Sequence, residues 1–144
     1  MKLSTKCRYG LRAMLEIARH YNKGPVNRNT IVEAQHISKA YLENILTSLR
    51  EKKLIRTERG ANGGFILQIA PSKITVLQIV NALEGSIAPV DCLEHPGVCD
   101  KSEYCVAQKV WRKMYDAQVQ VLSGITLQNM LEMESSQDSG MYNI

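Results

Sequence analysis

Residues 29–69 read NTIVEAQHISKAYLENILTSLREKKLIRTERGANGGFILQI. Ile31, Val32 and Ala34 are the apolar positions of a short helix over about 29–35. His36-Ile37 makes a tight connection, although the glycine common in such turns is absent. Ser38 then caps a longer helix over about 39–52, in which Leu42, Ile45, Leu46 and Leu49 recur at helical spacing. A short helix, a tight turn and a longer helix form a helix-turn-helix pattern. Residues 54–59 read as a strand and 65–69 as its partner, with Gly60-Ala61-Asn62-Gly63-Gly64 between them. Asn-Gly favours a tight hairpin because both residues tolerate positive φ. A basic hairpin directly after a helix-turn-helix is a wing.

Outward from this stretch, Ser4 or Thr5 caps a first helix to about Asn22. Its stripe is Tyr9, Ala13, Ile17 and Tyr21, widened by Leu11, Met14, Leu15 and Ala18, and Gly24-Pro25 ends it. After Pro71, Thr75 caps a helix to Glu84, with Val76, Ile79, Val80 and Leu83 apolar and Gly85 as C-cap. Residues 86–104 lose all periodicity and contain Pro89 and Pro96. A long helix over 106–123 follows, striped by Val110, Met114, Ala117 and Val121 and widened by Trp111, Tyr115 and Leu122. So broad an apolar face after a compact domain predicts dimerisation, with packing inside the monomer as the alternative. Gly124 stops it, and Thr126 caps a short helix over 127–133. Residues 134–144 have the composition of a disordered tail.

The predicted fold class is mainly α with a small β-hairpin. The expected organisation is a winged DNA-binding domain over 1–85, a cysteine-bearing loop over 86–105, a dimerisation helix with a short terminal helix over 106–133, and a tail over 134–144.

The net charge of +4 is unevenly spread. Residues 1–60 hold 13 Lys/Arg against 5 Asp/Glu, a balance of +8, whereas residues 61–144 hold 5 against 9, a balance of −4. A basic half beside an acidic half points to a polyanionic partner at one end. No apolar run approaches the roughly 20 residues that span a bilayer, and no apolar core follows the basic N-terminus. The expectation is a cytoplasmic protein without a membrane or small-molecule substrate. No Ser/His/Asp set, carboxylate pair or phosphate-binding GK[ST] loop marks an enzyme.

The start of the second helix of a helix-turn-helix enters the major groove. That start is Ser38-Lys39-Ala40-Tyr41-Leu42-Glu43-Asn44. Ser38, Tyr41 and Asn44 can reach bases or phosphates, and Lys39 adds a phosphate contact. A carboxylate beside a polyanion is costly, so Glu43 reads either as an acceptor for cytosine N4 or as a plain surface charge. Arg56 and Arg59 flank the wing, and Gly60, Gly63 and Gly64 let its backbone approach a groove. Lys2, Lys6, Arg8 and Arg50 are read as phosphate contacts. A homodimer would set two such units on a palindromic double-stranded operator.

Cys92, Cys99 and Cys105 follow a C-x6-C-x5-C spacing, and Cys7 lies far away near the first helix N-terminus. Clustered thiols in a reducing compartment argue for metal or redox chemistry, and thiolates suit zinc, copper(I) or iron–sulfur centres. Three cysteines leave a fourth ligand to be found.

The sequence resembles the IscR/NsrR/CymR-type family of winged helix-turn-helix transcription regulators, and most of all its iron–sulfur regulators. The resemblance rests on Leu3-Ser4-Thr5-Lys6 with Arg8-Tyr9, on Ile37-Ser38 with Tyr41-Leu42-Glu43, on Arg59-Gly60-Ala61-Asn62-Gly63-Gly64-Phe65, and on the cysteine trio and Trp111. It covers about residues 1–133. It implies that Cys92, Cys99 and Cys105 hold an iron–sulfur cluster, 2Fe–2S in preference to 4Fe–4S. It further implies that Ser38, Tyr41, Glu43 and Arg59 contact or discriminate DNA. The implied function is a cluster-sensing regulator that represses iron–sulfur biogenesis genes. A cluster-free thiol redox switch, a nitric-oxide-responsive regulator and a protein-binding adaptor are the alternatives. The sequence departs from the family at two ligand positions. Gln108 stands where IscR-like members place a His, and Arg8 where NsrR-like members use an Asp. Cys7, beside Arg8, is the candidate fourth ligand if its place in a first helical turn lowers its pKa, and a small buried residue otherwise. His95, Asp100 and Glu103 are weaker candidates, as is a small-molecule thiol.

Overall fold

The computed structural model describes residues 2–141. Helix α1 (Thr5–Arg19) starts at Ser4, whose hydroxyl accepts a hydrogen bond from the Cys7 amide at 3.0 Å. It buries Cys7, Gly10, Ala13, Met14, Ile17 and Ala18. The buried stripe is therefore rotated from the expected one. Tyr9 is only partly buried, and Tyr21 lies beyond the helix end, 38% exposed. Gly10 makes the close approach of the helix over 76–84, which carries Leu83, possible. A Cβ there would sit 2.3 Å from Leu83 Cδ1.

Helices α2 (Arg28–Gln35) and α3 (Lys39–Glu51) form the helix-turn-helix, capped by Asn27 and Ser38. The missing turn glycine is replaced by His36 in the left-handed region, with φ 53°. That conformation costs a Cβ-bearing residue about 1 kcal/mol or more. His36→Gly is therefore expected to raise stability by about 0.5–1 kcal/mol, after the entropy that Gly itself loses on folding. A higher urea midpoint at unchanged m would show it. Leu42, Ile45, Leu46 and Leu49 of α3 are fully buried.

Strands β1 (Ile55–Glu58) and β2 (Gly64–Leu67) pair antiparallel, Ile55 opposite Leu67 and Glu58 opposite Gly64. The hairpin differs from the expected Asn-Gly turn. Its loop runs from residue 59 to 63, positive φ falls on Gly60 (128°), and the Gly63 amide donates to the Gly60 carbonyl at 3.1 Å. Asn62 and Gly63 have ordinary φ. Gly64 serves close packing instead. Val26 bridges Phe65 through two backbone hydrogen bonds of 2.9 and 2.8 Å, and a Cβ on Gly64 would lie 2.3 Å from the Val26 carbonyl oxygen. Ile55, Phe65 and Leu67 turn inward to the core, so the wing is anchored by apolar burial worth about 1.5–3 kcal/mol per side chain.

Helix α4 (Val76–Glu84) opens with a full capping box between Thr75 and Gln78. Short 3-10 turns at Asp91–Leu93 and Pro96–Val98 organise the segment expected to be aperiodic. Helix α5 (Val106–Ser123) has the expected bounds and buries none of its residues fully. Helix α6 (Leu127–Met141) returns to the winged part. Leu127 is fully buried, its amide donates to the Ile74 carbonyl at 2.9 Å, and the Val76 amide donates to Ile125 at 2.8 Å.

The expected disordered tail is corrected over residues 134–141, which continue α6. Part of the reason is Arg19 of α1, which pairs with both Glu16 and Glu134. The hydrogen bond from Arg19 holds the Glu134 carboxyl below its ordinary pKa. Residues 142–144 of that expected tail lie outside the described residues. Among the described residues no helix is long and apolar enough to cross a membrane.

Candidate nucleic-acid interface and thiol loop

Ser38 spends its hydroxyl on the α3 cap, accepting from the Tyr41 amide at 3.1 Å. The start of α3 lies at the protein surface, where Ser38, Lys39 and Ala40 are exposed. Tyr41 is half-buried and packs edge-on against Tyr9, with centroids 6.2 Å apart, while Arg12 stacks over Tyr9 at 5.3 Å. Tyr41 is thus held by α1 at the edge of the core. Asn44, one turn further along, is exposed.

Lys39, Arg59 and Gly60 line one open cleft of about 470 Å³ between α2, α3 and the wing. Lys39 was expected on the recognition helix and Arg59 with Gly60 in the wing. The sequence reading missed Arg28, the first residue of α2, which lies in the same cleft and ion-pairs with Glu43. The only signal for it was one more basic residue in a basic half. Arg56 stands apart from this cleft. It lines a second one with Tyr21 and Gln68 and sits 3.8 Å from Glu58. Of the four expected phosphate contacts, Lys2 and Arg8 are exposed. The Lys6 ammonium donates to Ser48 at 2.7 Å, and Arg50 donates to Thr57 at 3.2 Å. Those two bonds tie α1 to α3 and α3 to the wing.

The cysteine loop is fastened to the start of α5. Cys105 is the α5 N-cap, and its Sγ accepts from the Gln108 amide at 3.4 Å. The Gln108 side-chain amide donates to the Cys92 carbonyl at 3.1 Å, and Arg112 donates to the Leu93 carbonyl at 2.8 Å. Gln108, expected to be a poor ligand, is a clamp on the backbone of Cys92. Cys92 and Cys105 are half-buried and Cys99 is exposed. All four cysteines are free thiols, and among the described residues no three His, Cys, Asp or Glu side chains are gathered to hold a metal ion. The donor type on this loop suits an iron–sulfur centre, although the three thiols are not gathered into one ligand set in this arrangement.

Cys7 is corrected as a thiolate candidate. It is 1% exposed in the core. Burial first, and the adjacent Glu84 carboxylate second, push its pKa up to about 11 from 9.0, against the helix N-terminus. The folded state therefore holds the proton more tightly than the unfolded chain. The resulting stability is full below about pH 9 and is lost as pH rises towards 11. With iodoacetamide at pH 8, Cys99 is expected to be alkylated first, Cys92 and Cys105 next, and Cys7 only on unfolding. Peptide mapping against time gives the order, and early labelling of Cys7 would contradict the buried placement.

Helix α5 displays Val106, Val110, Trp111 and Val121 to solvent. Its apolar face continues into a cleft of about 430 Å³ with Leu3, Ile87, Met114 and Leu122.

A capped recognition helix, a basic cleft and an anchored wing define a winged helix-turn-helix DNA-binding protein. The sequence model of the Rrf2 family, described as iron-dependent transcriptional regulators, matches residues 3–133. The chain belongs to the Rrf2 family of transcriptional regulators. It is 35% identical to the regulator CymR of Bacillus subtilis (strain 168), with all of both chains aligned. The solved structure of that global cysteine regulator superposes with a TM-score of 0.77, covering 92% of this chain and 98% of the other at 34% identity. The regulator IscR of Aliivibrio salmonicida is 35% identical over all of this chain and 86% of its own length. The solved T. potens IscR superposes with a TM-score of 0.77 at 37% identity, covering 93% of this chain and 88% of that one. Its relatives are transcriptional regulators, not enzymes.

Proposed function

We propose that this chain is a cytoplasmic homodimeric regulator that binds a palindromic operator and senses iron–sulfur status, repressing genes of cluster assembly. One observation carries the sensing half. Three thiols lie on the single loop that Gln108 and Arg112 fasten to α5, between the winged part and the apolar face of α5. Cys92, Cys99 and Cys105 would hold the cluster. When bound, such a centre joins separate thiolates at one point and so restrains the loop. The chain's own residues do the rest. Cys105 and Gln108 set the first turn of α5, α5 apposes two copies, and α3 enters the groove with Ser38, Lys39, Tyr41, Glu43 and Asn44. Glu43 accepts from a base edge, and Arg59 with Gly60 brings the wing to the backbone or minor groove.

A cluster-free thiol switch is the second reading. Its support is that Cys99 is an exposed free thiol, together with the full-length likeness to a global cysteine regulator. Anaerobic purification and reconstitution, followed by an absorption spectrum with iron and acid-labile sulfide assays, separates the two. Brown protein with matching iron and sulfide supports the cluster. Protein that stays colourless after reconstitution rejects it, and DNA binding that follows oxidant would then support the switch.

A further inference from the structure

We infer that Arg28 is a specificity-determining residue, because it positions the Glu43 carboxylate for base reading. The inference rests on Glu43 being a base reader, as proposed above. A carboxylate on the groove-facing part of α3 meets phosphate repulsion unless a cation neutralises it. Lys39 is one turn earlier on the same helix and is the obvious partner by spacing. Glu43 pairs instead with Arg28 Nε, across from α3 to the start of α2. The pair is half-buried, with 44% of the Arg28 side chain and 41% of the Glu43 side chain exposed. Glu43 Oε1, the paired oxygen, is shut off from solvent. The exposure of Glu43 therefore comes from the rest of its side chain, and with Oε1 taken up by Arg28 the acceptor offered to a base would be Oε2.

A second contact fixes Arg28 itself. Its guanidinium carbon stacks 5.5 Å from the centroid of Phe65, which is buried at the base of the wing. Arg28 thus spans α2, the recognition helix and the wing, in the cleft that also holds Lys39 and Arg59. A planar group stacked on Phe65 and paired with Glu43 holds the carboxylate in one orientation, which a flexible lysine would not do. Glu43 then offers one oxygen in one direction, the arrangement that distinguishes a cytosine amino group from a base presenting an acceptor there.

The test selects bound duplexes from a randomised double-stranded pool with wild type, Arg28→Gln, Glu43→Gln and the double variant. Affinities of the enriched sequences are then measured across salt. Glu43→Gln is expected to relax the preference at one or two positions of each half-site. Arg28→Gln is expected to relax the same positions, by roughly fivefold to tenfold in the affinity ratio between the preferred base and the next, and the double variant to match Glu43→Gln alone. Thermal stability, which a merely structural role would lower, is expected to stay near wild type because both side chains are half-exposed. Arg28→Gln that weakens every duplex by one factor, lowers the salt slope by about 1 and keeps base preference would make Arg28 a phosphate contact and overturn the inference. Unchanged preference in Glu43→Gln would overturn it through the base-reading premise, with sequence-specific binding itself left intact.

Discussion

Val110→Glu combined with Val121→Glu is expected to leave the chain monomeric and to weaken binding to a palindromic duplex by at least about 100-fold. Val110 is 55% and Val121 61% exposed, and α5 buries none of its residues fully in the monomer. An isolated 18-residue helix gains little from propensity alone, so an amphipathic helix this long needs its apolar face covered. The apolar cleft formed with Leu3, Ile87 and Met114 widens that face. Two glutamates at exposed positions cost the monomer little. In the proposed homodimer they would put four like charges into a symmetric interface, because a two-fold contact meets every substitution twice. Loss of the dimer removes the second half-site, and the affinity falls by the effective-concentration factor. Sedimentation equilibrium and fluorescence anisotropy read the two effects. A monomeric wild type, or a variant that stays dimeric, would assign the α5 face elsewhere.

Leu127→Ala is expected to lower stability by about 3 kcal/mol, and the melting temperature by about 10 °C. Leu127 follows the α5 segment in sequence but belongs to the core of the winged part. Its side chain is fully buried, and its amide is bonded to the Ile74 carbonyl just before α4. Met130 and Leu131 pack against the same core from α6. Ending the chain after Ser123 should therefore damage the winged part more than the single substitution does. Calorimetry on both variants shows this, and a truncated chain that melts like wild type would contradict it.

The helix-turn-helix was readable because local and tertiary signals agree there. Ser38 caps α3, Leu42 to Leu49 face inward, and Thr75 with Gln78 makes a capping box that needs no distant partner. The bounds of α5 were readable for the same local reason, with Cys105 before it and Gly124 after it. What escaped depended on neighbours distant in sequence. Gly64 looked like a turn residue, but its role comes from Val26, some forty positions earlier, pressing on the wing. The polar end of α6 has no apolar stripe to announce it, and its partner Arg19 lies on α1. Cys7 stood open between a ligating thiolate and a small buried residue, because helix position alone favours a thiolate, whereas burial and Glu84 act against it and win. Arg28 gave no motif, since its meaning comes from Glu43 and Phe65, which only the fold sets beside it.

Coupling between the thiol loop and the DNA face is tested most directly by one affinity measurement. A duplex selected by the wild type is titrated anaerobically, at fixed salt, with protein before and after cluster reconstitution, alongside the Cys92→Ala/Cys99→Ala/Cys105→Ala variant. The predicted result is a change of at least about fivefold in wild-type affinity and none in the variant, the size expected of a real coupling free energy. Equal affinities and equal base preference in all samples would contradict it, leaving a DNA-binding protein whose cysteines do not report to its recognition helix.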